Sequence, residues 1–489
     1  GGSWGSRRWG AAAGGAAPLA GVGPGADLAG GGHAADVVAV LRSRGLVQDV
    51  TDAAGLSEAS LRGPLTVYCG FDPTADCLHL GNLLGVLTLA WYARCGHRVV
   101  ALVGGATGRV GDPSGKSVER PVLAEAEIEH NTAAIGGLLG RLLGGISAPG
   151  GGSVRVLNNL DWYRDMGFLE FLRDVGKYAR MGPMMAKESV KRRLGSEEGI
   201  SFTEFSYQLL QGYDFVHLHR NHGVNVQVGG SDQWGNITAG TDLLRKLPLP
   251  SAGGEGGGGA GDGSSAAFGM TFPLLLTADG KKFGKSESGA VWLGAEKLSP
   301  YKFYQYLFQT PDADVIKFLR MLTFLELEEI EVMGRAMAEE GYRPNTAQRL
   351  LAEEVTRFVH GDVGVELARK ATVALAPGSK ADLDAETLAA IAEELPTSDL
   401  GVDEVVGAPV AEVLAKCGLQ PSKGAARRLI KGGGVRLNNR KVESDEQAVE
   451  AADVLESSAG GLLLVAAGKK NKHIVRVAAA REEAAAVPT

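Results

Sequence analysis

Short apolar runs alternate with longer stretches of helical spacing through the first half of the chain. Leu65, Val67 and Tyr68 end a buried-strand pattern that Gly70, Asp72, Pro73 and Thr74 break. A helical pattern starts near His79 and runs past Trp91. Val99–Val103 (VVALV), Val154–Leu157 and Asn225–Val228 repeat the strand pattern, the first closed by Gly104-Gly105 and the last leading into Gly229–Gly235. Asp36–Arg44 predicts a short amphipathic helix and Ile200–Phe215 a longer one. This alternation predicts an α/β fold, a Rossmann-type parallel sheet with helices on both faces. Its ligand would lie at the carboxyl ends of the strands, near a topological switch point.

After Lys285 the pattern turns helical. Pro300–Phe308, Asp314–Phe324 and Ala347–His360 carry apolar residues at helical spacing. They predict an all-helical domain over 286–395, following an α/β domain over 36–285. A less apolar stretch, 396–409, reads as a linker. A small α+β domain is expected over 410–480, with a tail at 481–489. Ser251–Ala267 is almost wholly Gly, Ser and Ala and predicts an exposed, flexible insertion. Residues 1–35 are rich in Gly and Ala, carry Arg7 and Arg8, and contain no acid before Asp27. Two readings stand for that leader: the remainder of an organellar transit peptide, or a disordered leader.

At 489 residues the chain exceeds one typical domain. Its net charge of -7 argues against a protein that coats nucleic acid with its whole surface, and leaves room for a local basic patch. One such patch exists. Lys423, Arg427, Arg428, Lys431, Arg436, Arg440 and Lys441 follow one another with no acid between them. Arg427, Arg428 and Lys431 share a helical face and could track a phosphate backbone; Lys469, Lys470 and Lys472 would extend that surface. No apolar run is long enough for a membrane-spanning helix. Cys69, Cys77, Cys95 and Cys417 lack CxxC spacing, which disfavours a zinc site or a disulfide framework and fits a reducing compartment.

The strand–loop–helix at Leu65–Leu84 places backbone N–H groups and a positive helix end at one point, where phosphates bind well. His79, Gly81 and Asn82 fall in the first helical turn. Gly115-Lys116-Ser117 is not a Walker A loop, because the position where that motif needs its first Gly holds Val110. By the residues alone, Asp112, Lys116 and Arg120 form either a solvated turn or a charged loop of the same cleft. Tyr207, Gln211 and Asp214 lie at spacings of four and three, so they share one helical face. No Ser-His-Asp or Cys-His order and no metal-ligand cluster is evident.

HLGN at His79–Asn82 and KFGKS at Lys282–Ser286 resemble the two signatures of class I aminoacyl-tRNA synthetases. YCGFDPTAD, VGGATGRVGDPSGKS and VGGSDQWGNITAG resemble the tyrosyl-specific family of bacterial and organellar type, and SKGAARRLIKGGGVRLNNRKV resembles a small RNA-binding module shared with a ribosomal protein. The resemblance implies tyrosine activation with ATP and transfer of tyrosine to tRNA(Tyr). Orientation and charge stabilisation carry such a reaction, with no protein nucleophile. It implies that Tyr68 and Asp214 bind the phenol hydroxyl, that Asp112, Tyr207 and Gln211 bind the ammonium group with Asp72 beside them, and that Gln233 meets the carboxyl end. Cys69, Gly70, Gly230 and Asp232 would contact the nucleoside. Thr74 and His79 would act on the γ-phosphate side, Gly81 and Asn82 would contact ATP, and Lys116, Arg120, Lys282, Lys285 and Ser286 would neutralise pyrophosphate. Asn82 stands where the family commonly has His, so altered ribose contact is expected.

The same resemblance implies ATP as substrate with accompanying Mg2+, no protein-bound metal, a homodimer, and an anticodon-side role for the helical domain. Location in a chloroplast or mitochondrion is expected, with the cytoplasm as the other option. A tryptophan-specific relative is disfavoured by the Tyr68–Asp214 pair. An RNA-binding protein that lost the chemistry is disfavoured by the intact cations and Asp214.

Overall fold

The computed structural model describes residues 35–115, 123–146, 153–247, 266–286, 289–392, 394–457, 460–468 and 471–478. The leader expected over 1–35 lies outside them except for its last residue, as do all but the last two residues of the 251–267 insertion, the 481–489 tail, and Lys469 and Lys470. The chain divides into two compact units. One comprises Gly1–Gly294 with Pro311–Ala347, the other Ala295–Thr310 with Gln348–Thr489.

The first unit is built on five parallel strands: β1 (Thr66–Phe71), β2 (Arg98–Val103), β3 (Val154–Asn158), β4 (Val226–Gly230) and β5 (Phe268–Phe272), in the order β3-β2-β1-β4-β5. The central strands read as unbroken apolar runs because both faces of a parallel sheet are covered. β1 is central, with Tyr68 opposite Val100 on one side and Gln227 on the other. The order reverses at β1, so the carboxyl ends of β1 and β4 frame a crevice.

Ten helices belong to this sheet region: α1 (Val37–Ser43), α2 (Ala53–Arg62), α3 (Leu80–Arg94), α4 (Glu125–Gly144), α5 (Leu160–Tyr163), α6 (Phe168–Asp174), α7 (Met181–Met185), α8 (Glu188–Leu194), α9 (Phe202–His222) and α10 (Trp234–Lys246). α3 is buried almost all round, from Leu80 to Ala93, which is why it has no polar stripe. α9 covers the sheet with Phe215, Val216 and Leu218, packed with Tyr68 and Val100. Each such buried side chain contributes about 1.5–3 kcal/mol. Two short strands, β6 (Lys285–Ser286) and β7 (Gly289–Ala290), pair antiparallel beyond the sheet.

The helices expected as one block over 286–395 are shared between the units. α11 (Pro300–Phe308) belongs to the second unit, whereas α12 (Asp312–Leu322) and α13 (Leu327–Ala336) belong to the first. There the Arg44 guanidinium donates to the carbonyls of Thr323 (3.2 Å) and Leu325 (2.7 Å) and lies 3.9 Å over the Trp91 ring. Such long-range capping leaves no periodic trace in the sequence.

The second unit holds most of α14 (Thr346–Leu375), α15 (Ala385–Ala392), β8 (Thr397–Gly401), α16 (Val402–Val405), α17 (Val410–Lys416), α18 (Lys423–Lys431), β9 (Val435–Leu437), β10 (Arg440–Lys441), β11 (Leu455–Ser457), β12 (Gly460–Ala467) and β13 (Asn471–Ala478). The strands form one sheet, β10-β9-β12-β13-β8, with β11 also on β12. β12 alternates between two cores. Leu463 and Val465 pack with α17 and α18, while Leu462 and Leu464 pack with Ala371, Leu388 and Ile391 of α14 and α15.

Two expectations are corrected here. The stretch 396–409 is not a linker: Thr397–Gly401 is an edge strand parallel to β13. Its low apolar content reflects partial exposure, since backbone pairing rather than side-chain burial holds an edge strand. Lys472 does not extend a cationic surface. It is buried, and its Nζ donates to the carbonyls of Ala374 (2.6 Å) and Ala376 (3.3 Å) at the end of α14. The negative end of the helix makes that a favourable place for an ammonium group.

Candidate active site

The crevice at the ends of β1 and β4 is a cleft of about 450 Å3, within the range of small-molecule sites. His79 caps α3: its Nδ1 accepts from Gly81 N (3.1 Å), and Asn82 Oδ1 accepts from His79 N (3.1 Å). A Cβ at Gly81 would fall 2.9 Å from the His79 ring, so only glycine lets the ring fold back onto the helix start. The carboxamide oxygen of Asn82 is thus used in capping, which leaves its NH2 as the part available to a ligand.

The two signatures meet through the backbone. Leu80 N donates to Val291 O (2.7 Å), Leu293 N to Leu78 O (2.9 Å), and Val291 N to Gly284 O (3.0 Å). Gly284 has φ +99°, and a Cβ there would lie 3.2 Å from Leu80 Cβ. The left-handed backbone and the close approach both call for glycine. Lys282 and Lys285 stand exposed at the cleft rim. Lys116 and Arg120 lie outside the described residues, as does the side chain of Ser286.

Deeper in the cleft the lining is polar and buried. Asp214 accepts from Trp162 Nε1 (2.9 Å) and Asn159 Nδ2 (3.1 Å). Burial pushes its carboxyl up to about 7, with those two hydrogen bonds pulling the other way. Tyr68 is buried beside it, and burial first, then the Asp214 charge, raises its phenol well above the ordinary range. The Tyr68 hydroxyl and Gln211 Oε1 are buried without a hydrogen-bond partner among the described residues. Such orphan groups cost stability and mark a place prepared for a polar ligand.

A second acidic group stands nearby. Asp72 accepts from the Tyr207 hydroxyl (2.7 Å) and Thr107 Oγ1 (2.7 Å). Asp112 accepts from Ser114 N (3.0 Å), Gln233 Nε2 (2.7 Å) and Asn236 Nδ2 (3.3 Å). Each of these donors is neutral and orients a carboxylate oxygen. The pocket therefore suits a ligand with a cationic end and a hydroxyl end.

Tyr68, Cys69, Gly70, Asp72, Thr74, His79, Gly81, Asn82, Asp112, Tyr207, Gln211, Asp214, Gly230, Asp232, Gln233, Lys282 and Lys285 all line this one cleft. Cys69 is an inert member, since burial lifts its thiol to about 12. The sequence reading passed over Thr107, Asn159, Trp162 and Asn236, which hold the acidic side chains in place. An available signal was Asn158-Asn159 at the carboxyl end of β3, where open α/β sheets place ligand-facing residues.

The basic cluster lies in the second unit. Lys423, Lys431, Arg440 and Lys441 pair with Glu412 (2.8 Å), Asp445 (3.3 Å), Asp382 (3.1 Å) and Glu443 (3.1 Å). Arg436 NH1 donates to Asn439 O (3.3 Å). Arg427 and Arg428 are exposed on α18 without an acidic partner among the described residues. The cluster is thus less cationic than its sequence suggests, because acids from outside it fold beside it.

Residues 60–376 match the family model described as tRNA synthetases class I (W and Y), and residues 387–475 that of a tyrosine–tRNA ligase SYY-like C-terminal domain. The chain is 54% identical over 423 residues to a chloroplastic/mitochondrial tyrosine–tRNA ligase of Arabidopsis thaliana, covering 86% of this chain and 80% of the relative. A tyrosine–tRNA ligase of Protochlamydia amoebophila is 50% identical, with 86% and 95% covered. Among solved structures, a C-terminally truncated mitochondrial tyrosyl-tRNA synthetase of Aspergillus nidulans superposes with a TM-score of 0.61 at 34% identity, covering 68% of this chain and 92% of that one. With its signatures joined at one cleft and most of its length matched, the chain belongs to the class I tRNA synthetases of the W and Y family.

Proposed function

We propose that the chain is a tyrosine–tRNA ligase. It joins L-tyrosine to ATP as tyrosyl-adenylate, releasing pyrophosphate, and then passes tyrosine to the 3' end of tRNA(Tyr). One observation carries the choice of amino acid: Tyr68 and Asp214, two hydrogen-bonding groups buried at the closed end of the cleft. The phenol hydroxyl donates to Asp214 and accepts from Tyr68. Asp112, Tyr207 and Gln211 take the ammonium group, with Asp72 holding Tyr207, and Gln233 faces the carboxyl end.

Held so, the carboxylate attacks the α-phosphorus in line, and its negative charge passes to the departing pyrophosphate. His79, the Asn82 amide and Thr74 stand on the phosphate side. Lys282, Lys285, Lys116, Arg120 and Ser286 balance the leaving charge. Cys69, Gly70, Gly81, Gly230 and Asp232 border the nucleoside. Mg2+ enters on the phosphates of ATP, which is a substrate here. Orientation and charge placement carry the rate, since the attacking carboxylate has no proton for a general base to remove.

Arg427 and Arg428, with the paired cations of α18 to β10, form the RNA-facing surface, and the helices of 286–395 lie on the anticodon side. A homodimer is supported by exposed apolar side chains in the first unit, with Phe168 63%, Leu169 79% and Phe202 68% accessible. An organellar address is supported by the Arg-bearing, acid-poor first residues and by the name of the Arabidopsis relative. No helix among the described residues is long and apolar enough to cross a membrane. The test is ATP–pyrophosphate exchange with each amino acid in turn. Tyrosine alone is expected to support exchange; tryptophan-dependent exchange would overturn the assignment.

A further inference from the structure

Trp162 donates a hydrogen bond to Asp214 (2.9 Å), yet it stands on a short element. α5 is a single turn of four residues, Leu160–Tyr163, held at its start by the Asn158 side chain, whose Oδ1 accepts from Leu160 N (3.0 Å). One turn of helix does not fix its own orientation in water. An indole that must aim its N–H at a buried carboxylate from such a turn needs an outside support.

The support comes from α9. The His217 ring lies flat on the Trp162 indole, with centroids 4.3 Å apart and planes 13° apart. The only other ring near Trp162 among the described residues is its neighbour Tyr163, tilted and 6.4 Å away. His217 sits one turn beyond Asp214 on the same helix, so the acceptor and the support of its donor move together. His217 is held in turn. Tyr213 meets its edge at 6.4 Å and His222 stands 6.0 Å away, with the His222 Nδ1 3.1 Å from the Arg155 guanidinium. Burial, and then His222, keep His217 neutral by lowering it to about 4. A neutral ring stacks on indole without drawing a counterion into the site.

We infer that His217 is a positioning residue for amino-acid selection: by stacking on Trp162 it aims the indole N–H at Asp214 and so fixes the carboxylate that receives the phenol hydroxyl. This rests on the tyrosine reading above and adds a residue that no signature contains. His217 touches neither substrate, so its effect falls on tyrosine and leaves ATP alone.

The experiment is ATP–pyrophosphate exchange by the full chain, with tyrosine and ATP varied separately, for the wild type, His217→Ala and His217→Phe. Loss of an aromatic stack of this kind predicts a KM for tyrosine raised about three- to tenfold in His217→Ala. The KM for ATP is expected to stay put, and His217→Phe, which keeps a flat ring, to return the KM for tyrosine to within about twofold of wild type. His217→Gln serves as a second ringless variant should His217→Ala not fold, with the same expectation. An unchanged KM for tyrosine in the ringless variants, equal rises in both KM values, or failure of His217→Phe to restore binding would each overturn the inference. A wild-type enzyme without tyrosine-dependent exchange would instead overturn the assigned reaction, so the two failures are distinct.

Discussion

Asp214→Asn is the most informative single substitution, because it keeps the shape of the side chain, removes its charge and replaces one of its two acceptor oxygens with a donor. In the native site one carboxylate oxygen receives Trp162 Nε1 at 2.9 Å and the other receives Asn159 Nδ2 at 3.1 Å. The amide has one oxygen, so its NH2 must face one of these donors. A buried donor left unpaired costs about 1–3 kcal/mol, and the hydrogen bond from the phenol to a charged acceptor contributes about 1.5–3 kcal/mol. The unpaired donor burdens the free enzyme as much as the complex and lowers stability, so the lost phenol bond alone predicts a fall in kcat/KM for tyrosine of about 10- to 10²-fold, at about 1.36 kcal/mol per decade. The KM for ATP is expected to hold.

The pH profile gives a second, independent reading of the same group. Burial raises Asp214 to about 7, so it is neutral below that pH and charged above it. Only the charged form is a pure acceptor for the phenol, whose own ionisation lies near 10. For the wild type, kcat/KM for tyrosine should therefore climb as pH rises through about 7 and then level off. In Asp214→Asn that acidic limb should vanish. A variant within about tenfold of wild type, or one that keeps the limb, would refute the reasoning.

Other outcomes can be checked by exchange, thermal melting and tRNA charging. The Tyr68 hydroxyl has no protein partner among the described residues, so Tyr68→Phe should leave the melting temperature level or raised while lifting the KM for tyrosine about three- to tenfold; a lower melting temperature with unchanged KM would contradict this. Gly284→Ala forces a side chain into a φ of +99° against Leu80; at about 1–3 kcal/mol of strain it should lower kcat about five- to hundredfold, with the KM for tyrosine unmoved. Replacing Arg427 and Arg428 by Ala should spare exchange, raise the KM for tRNA and flatten its salt dependence by about one to two in log–log slope; equal charging across salt concentrations would remove these residues from the RNA surface.

The sequence by itself determined a good deal of this protein. Parallel strands buried on both faces must be unbroken apolar runs, so β1 and β2 could be read directly. The signatures HLGN and KFGKS are local strings legible from adjacent residues, and His79, Gly81, Asn82, Lys282 and Lys285 line the one cleft. Helical spacing alone placed Tyr207, Gln211 and Asp214 on one face, and all three line the cleft.

What tertiary structure decided was whatever depends on a partner far along the chain. Asp214 is held by Asn159 and Trp162, more than fifty residues away, and Asp112 by Gln233 and Asn236, more than a hundred away. Lys472 reads as one more surface cation until the end of α14 arrives to accept it. Residues 396–409 read as a linker because the edge strand within them, Thr397–Gly401, is held by backbone hydrogen bonds, which carry no side-chain signature. The basic cluster loses part of its charge to Glu412, Asp445 and Asp382 for the same reason. Periodicity records which side chains are buried; which groups meet there is settled only when distant segments pack.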